Sequence, residues 1–487
     1  MKDRVAKSVF WMAWSRGAVQ LVSLVSTLAV ARLLAPGDYG LFALAAIWIN
    51  TISLVAELGM GAAIVQFPEL EPRELNTSFW LNLAVAVAGY AALFAVAPRI
   101  EAWFAAPRLA TVIRVLALAL PIVAIRVVPE NLLRKDLRLD KISQAEIVAS
   151  LSTLPVVLGL AASGFGVWAL VASGLIPHVT QGFVCFRLVS WRPGIEVGSR
   201  RLREILHYSL ATLGSRLLWS VLEQADSFVL GKVSGQAALG VYSMAKQLAI
   251  LPVTKISVMA SQLSSVVMAR QQSDRQAMRG SFRRALRMVA CLTIPICLGI
   301  ALLADDTVHV VLGPKWLEAA PLLRLMAIFA IVRSLDGLMP PVLMARYRTT
   351  ALMAWTMVVL AVMPVAFWVG SRELGPRGVA FAWLLVYPGL VAWLVRAALR
   401  ELDLSWAEAA AEIRLPALAA IAMAIAIALV QLGISGFDTT ERIARIVVSA
   451  AAGAALYGLV IFLHGANLRS EIAEIARWLW RPKVAGA

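Results

Sequence analysis

Cysteine is nearly absent from this 487-residue chain, which has only Cys185, Cys291 and Cys297. All three lie in or beside apolar runs, and none forms a C-x-x-C pair. A disulfide framework and a thiolate zinc site are therefore not expected. Histidine is almost as scarce: four residues, scattered singly, give no metal-ligand spacing. No G-x-x-x-x-G-K-[ST] stretch is present, so the chain has no built-in nucleotide engine. Long polar segments are missing too, which leaves no room for a separate soluble domain. No D-x-D or paired-carboxylate motif sits in a polar loop, where a glycosyltransferase or polymerase would need it, and no TVGYG-like filter is seen. The expectation is a protein that is not an enzyme and takes no cofactor or metal.

Apolar length is what the chain has in excess. It is 60% hydrophobic and 15% charged, against nearer half and a quarter in soluble domains. Fourteen runs are each long enough to cross a hydrocarbon core of about 30 Å: 8–31, 39–65, 77–97, 110–130, 145–163, 165–187, 206–230, 237–262, 284–304, 319–344, 349–370, 377–397, 414–433 and 441–464. The first holds Arg16 and lacks a small-residue cleavage pattern, so it reads as a span and not as a cleaved signal peptide. The fold class is thus an all-α polytopic membrane protein of about 14 transmembrane helices.

The net charge of +16 does not point to nucleic acid, because it is distributed by loop. Lys and Arg gather in alternate loops, above all 134–141, 192–203 and 270–287, which sets both termini on the cytoplasmic side. The 66–76 loop, with Glu69, Glu71 and Glu74 against Arg73, dissents. Segments 188–205, 263–283 and 398–413, and the tail after His464, look amphipathic and read as surface helices.

A faint repeat runs through the chain. Ser15-Arg16 falls on Ser215-Arg216, Arg32 on Lys232, Gly40 on Gly240, Phe42 on Tyr242 and Ala45 on Ala245. Further on, Ile125-Arg126 in the fourth run matches Val332-Arg333 in the tenth. Six runs separate the copies, an even number, so the repeat is parallel with its axis along the membrane normal. This predicts an N-terminal lobe over 1–200, a C-terminal lobe over 201–400, and helices 13–14 with a cytoplasmic tail over 401–487. The copies also diverge: Ser23 and Ser26 in the first become Glu223 and Asp226 in the second.

Charged side chains are costly in hydrocarbon and usually face a bundle interior or a wet cavity. Arg16, Glu57, Arg126, Glu130, Glu146, Arg216, Glu223, Asp226, Lys246, Lys255, Arg324, Arg333 and Asp336 all fall inside apolar runs. Arg216, Glu223 and Asp226 are spaced by seven and three, which puts them near one helical face. Basic and acidic residues are nearly balanced, so ion pairing between helices is the plain structural alternative. Prolines interrupt several runs, among them Pro121, Pro129, Pro340-Pro341 and Pro388, and each removes a backbone hydrogen bond.

The run Ala31-Arg-Leu-Leu-Ala-Pro-Gly-Asp-Tyr-Gly-Leu-Phe42, then Glu57-Leu-Gly-Met-Gly-Ala-Ala-Ile-Val-Gln66, resembles the N-terminal signature of the polysaccharide transporter family. This is the WzxC-like oligosaccharide flippase group of the multidrug/oligosaccharidyl-lipid/polysaccharide exporter superfamily. The stretches Gln224–Lys232, Leu239–Ala245 and Leu133–Arg138 resemble the same family. The resemblance implies two six-helix lobes forming a V with a central cavity, plus two C-terminal helices. It implies a lipid-linked oligosaccharide on polyprenyl pyrophosphate, flipped to the outer leaflet of the bacterial inner membrane for exopolysaccharide, capsule or O-antigen. Polysaccharide polymerase and chain-length machinery are the implied partners, beside membrane lipids.

Guanidinium matches phosphate in two-point geometry. Arg16, Arg126, Arg216, Arg333, Lys246 and Lys255 are therefore the candidate headgroup ligands. Glu57, Glu223, Asp226 and Asp336 are candidates for pairing with them or coupling to an ion. Neutral sugars suit Trp11, Trp14, Trp48, Trp80, Asn50, Asn82, Trp219 and Gln224. A peptidoglycan-precursor flippase and a cation-coupled multidrug antiporter of the same superfamily are the rival readings.

Overall fold

A computed structural model of the chain describes residues 25–56, 61, 64, 71–196, 198, 202–434 and 438–465, with the backbone only at 56, 202–216 and 218. Among the described residues regular structure is helical throughout. An apolar run in lipid has no water to satisfy its backbone, so it closes its own hydrogen bonds as a helix.

In chain order the helices are α1 (Pro36–Ala56), α2 (Pro72–Phe104), α3 (Leu109–Leu116), α4 (Ala119–Lys135), α5 (Leu139–Ala162), α6 (Val167–Leu188), α7 (Leu202–Val233), α8 (Gly235–Arg270) and α9 (Arg275–Leu302). A short α10 (Ala304–Thr307) leads to α11 (Ala319–Asp336) and α12 (Met339–Ala345). Then come α13 (Thr349–Leu374), α14 (Pro376–Phe381), α15 (Tyr387–Glu401), α16 (Trp406–Gly433) and α17 (Thr439–His464).

Eleven spans among the described residues are long and apolar enough to cross a membrane, and the protein is a multi-pass membrane protein. Of the other expected spans, most of the first run lies outside the described residues. Helix α7 is 32 residues long but carries Arg216, Glu223 and Asp226. The tenth run is interrupted between α11 and α12. Helix α8, at 36 residues, spans roughly 50 Å at 1.5 Å per residue and so outruns the hydrocarbon core.

Prolines account for the interruptions. Pro340 cannot bond back to the carbonyl of Asp336, and α11 ends at Asp336. Pro388 cannot bond back to Leu384, and the ladder there opens into a π-helical turn over Ala382–Val386. Capping boxes at Glu71/Glu74, Ser405/Glu408 and Asp438/Glu441 satisfy the first turns of α2, α16 and α17.

The chain forms two compact units. The first takes residues to Ser243 with Pro364–Val379, and the second takes Met244–Met363 with Ala380 onward. In the first, the residues that the repeat equates meet each other. A Cβ at Gly40 would fall on the carbonyl oxygen of Gln236, and one at Gly240 would fall on that of Pro36. Gln236 lies 200 residues after Pro36, so the contact is reciprocal, and only glycine lets the two backbones approach this closely. Loop 191–198 is fastened to the start of α2: Arg73 pairs with Glu196 at 2.8 Å, Trp80 donates to Gly194 O, and Gly198 N–H donates to Thr77.

In the second unit, Arg275, Arg279, Arg283 and Arg287 form a ladder along α9. They meet Asp403, Glu408 and Glu412, the last shared by Arg283 at 2.6 Å and Arg287 at 2.9 Å. Glu401 takes Arg346 and Arg348. Many basic residues near these helix ends are therefore spent on ion pairs, beyond their part in orienting the chain. Buried Asp306 holds both Arg442 and Arg445 of α17. Helices α16 and α17, which lie outside both sequence copies, are thus tied to this unit by ion pairs at both ends.

Candidate functional site

Arg126 of the first unit points toward α6. Its Nε lies 3.1 Å from Glu130 Oε2, one turn further along α4, and Nη1 donates to Gln181 Oε1 of α6. Glu130 has a second cation: Arg134 Nη2 is 2.6 Å from its other oxygen. Arg126 and Glu130 are only 15% and 16% exposed. His178, one turn before Gln181 on α6, has a buried Nδ1 with no hydrogen-bond partner among the described residues.

Arg333 of the second unit stands in the matching place. Its Nη1 donates to both oxygens of Asp336, at 2.9 and 3.2 Å, one turn further along α11. Tyr387 OH of α15 also donates to Asp336. The π-helical turn sets Trp383 four positions before Tyr387, with ring centroids 5.2 Å apart. Lys246 of α8, half-buried, lies over the Trp383 ring at 5.7 Å from its centroid. Asp336 is 2% exposed at its side chain and Arg333 30%.

Both arginines are thus held by a carboxylate one turn on, and a neutral partner from the sixth run of the same copy completes each group. A guanidinium needs such a counter-charge inside an apolar bundle, and its planar fork of donors suits a phosphate.

A second polar group lies along α7 in the first unit. Gln224 donates to Thr51 of α1 at 3.2 Å and to Ser220 at 3.1 Å, and Trp219 donates to Glu223 at 3.0 Å. Asp226 is fully buried and accepts from Tyr242 OH at 2.6 Å and from the N–H and hydroxyl of Ser227. The first copy carries Ser26 and Phe42 at these two positions, a pair that lacks both the carboxylate and the phenolic hydroxyl.

The structure thus brings Arg333, Asp336 and Lys246 into one cluster. It places Arg126 in a second, and Glu223 and Asp226 on α7. Lys255 is exposed on α8. Trp11, Trp14, Arg16 and Glu57 lie outside the described residues, as does the side chain of Arg216. Of the expected sugar contacts, Asn50 and Trp80 are exposed, whereas Asn82 is fully buried against Ala124 O. Gln181, His178, Tyr242, Trp383 and Tyr387 were not singled out from the sequence as site residues. The change from Phe42 to Tyr242 between the copies was a signal for one of them. Nothing local marked the others.

The profile of a family described as polysaccharide biosynthesis proteins matches residues 29–321. The teichuronic acid biosynthesis protein TuaB of Bacillus subtilis is 24% identical over 428 residues, covering 87% of this chain and 88% of that one. The succinoglycan biosynthesis transport protein ExoT of Rhizobium meliloti is 23% identical over 494 residues, covering 99% and 97%. The lipopolysaccharide biosynthesis protein WzxC of Escherichia coli is 24% identical over 397 residues, covering 79% of each. Among solved structures, the lipid II flippase MurJ in an inward closed conformation superposes with a TM-score of 0.73 at 12% identity, covering 94% of this chain and 99% of that one. An inward-facing multidrug resistance transporter of the MATE family superposes at 0.63 with 16% identity, covering 79% and 93%. These two likenesses show the fold.

Proposed function

The chain belongs to the polysaccharide biosynthesis protein family, and we propose that it is a flippase for oligosaccharide repeat units linked to polyprenyl pyrophosphate. It carries them from the inner to the outer leaflet of the bacterial cytoplasmic membrane, for exopolysaccharide, capsule or O-antigen synthesis. Relatives named for teichuronic acid, lipopolysaccharide and succinoglycan biosynthesis support the substrate class. The observation that carries the reading is the pair of arginines, each inside an apolar bundle and each held by a single turn of helix to its own carboxylate.

In this reading Arg126 and Arg333, with Arg16, Arg216, Lys246 and Lys255, receive the anionic headgroup as the lobes over 1–200 and 201–400 alternate in access. Glu57, Glu223, Asp226 and Asp336 hold the cations at rest or couple transport to an ion. Trp219 and Gln224 on α7 offer an aromatic face and an amide to neutral sugars, while the polyprenyl tail stays in lipid. Both termini face the cytoplasm, and the polymerase and chain-length machinery take the product on the far side.

The test is to delete the gene and assay lipid-linked repeat units by leaflet. Accumulation on the inner leaflet is expected. Normal delivery to the outer leaflet would remove the proposal. Rescue of a strain lacking its lipid II flippase would move the substrate to peptidoglycan precursor.

A further inference from the structure

The two arginine groups differ in how much cation each carboxylate has to lose. Glu130 holds Arg126 and Arg134, so it keeps a partner if Arg126 turns to a phosphate. Asp336 holds Arg333 alone among the described residues. Its surroundings supply no replacement. Its own helix gives Arg333, and α15 gives the neutral Tyr387 hydroxyl. Lys246 is engaged over the Trp383 ring, 5.7 Å from its centroid. Next to it, α9 presents neutral Thr293 to Ser334, and Leu335 packs on an apolar cluster to which α16 contributes Ala420 and Ile413.

A carboxylate stripped of its cation in such a place is expensive to keep ionised. We infer that Asp336 is the proton-carrying group of this transporter: pyrophosphate takes Arg333, and the carboxylate it leaves takes one proton from solution. When the headgroup departs, Arg333 returns to Asp336 and that proton goes back to water. Glu130 keeps Arg134 throughout. The inference rests on reading the arginines as headgroup ligands and adds the coupling: anion binding on one half is tied to proton uptake, and by reciprocity proton binding favours the anion.

The experiment uses the full chain in nanodiscs with inorganic pyrophosphate as probe. Binding is measured by titration calorimetry in buffers of different ionisation enthalpy, over a range of pH. Wild type should take up about one proton more than Asp336→Asn. Its Kd should weaken with rising pH about tenfold per pH unit more steeply over the window where that proton is gained. Glu130→Gln should keep the wild-type proton number. Tyr387→Phe removes a donor to the ionised carboxylate, so its window should move to higher pH; this variant serves if Asp336→Asn does not fold.

Equal proton numbers in wild type and Asp336→Asn, or an unmoved window in Tyr387→Phe, would overturn the inference and leave the flippase reading standing. A wild type that binds no pyrophosphate would overturn both.

Discussion

In the first half of the chain Arg126 shares Glu130 with Arg134 and leans on a glutamine, and the two repeat positions near α1 are Ser26 and Phe42. In the second half Arg333 has Asp336 to itself, the carboxylate is sealed by a tyrosine, and the same repeat positions are Asp226 and Tyr242. The second half carries the more deeply buried carboxylates, Asp336 and Asp226. A duplicated fold can thus keep one copy as a steady cationic surface and load the other with groups whose charge depends on what is bound. The division is chemical, since the helices that carry it are matched.

Removing each arginine tests this directly. Arg333→Ala leaves Asp336 buried without its cation and should cost about 3–5 kcal/mol of stability near neutral pH. Arg126→Ala leaves Glu130 with Arg134 and should cost nearer 1 kcal/mol. Thermal unfolding of the purified variants checks this, and equal losses would mean that the halves are not differently loaded. Next in size is Tyr242→Phe, which gives the second copy the first copy's residue and strips a donor from fully buried Asp226. A loss of about 1–3 kcal/mol is expected, and adding Asp226→Ser should recover part of it by restoring the complete first-copy pair. The smallest effect belongs to Arg275→Gln. Its ion pair with Asp403 is widely exposed, so less than about 1 kcal/mol is expected in denaturant titration, with no change in transport.

Much of this division was legible in the sequence. Apolar length gave the spans because a lipid-exposed backbone leaves no alternative to helix. The repeat placed Arg126 and Arg333 in matching helices, and the substitutions Ser26/Asp226 and Phe42/Tyr242 are the poles of the buried pair on α7 and α8. What sequence did not supply were the partners from other helices. Gln181 and Tyr387 sit in the sixth and twelfth runs with no local pattern to mark them, because a hydrogen bond across a bundle depends on helix rotation and not on spacing. The ladder from Arg275 to Arg287 read as a cluster of topology charges. Its acidic partners lie about 130 positions later, beyond the reach of any i, i+4 rule.

The glycines at 40 and 240 carry one more consequence, which concerns how substitutions combine. Each presses on the backbone of the other's helix, so a side chain at either position must push the same two helices apart. The first such change would do most of the damage, and the second would find the gap already open. Their effects should therefore fall well short of additive. The two positions thus behave as one site, although 200 residues separate them in the chain.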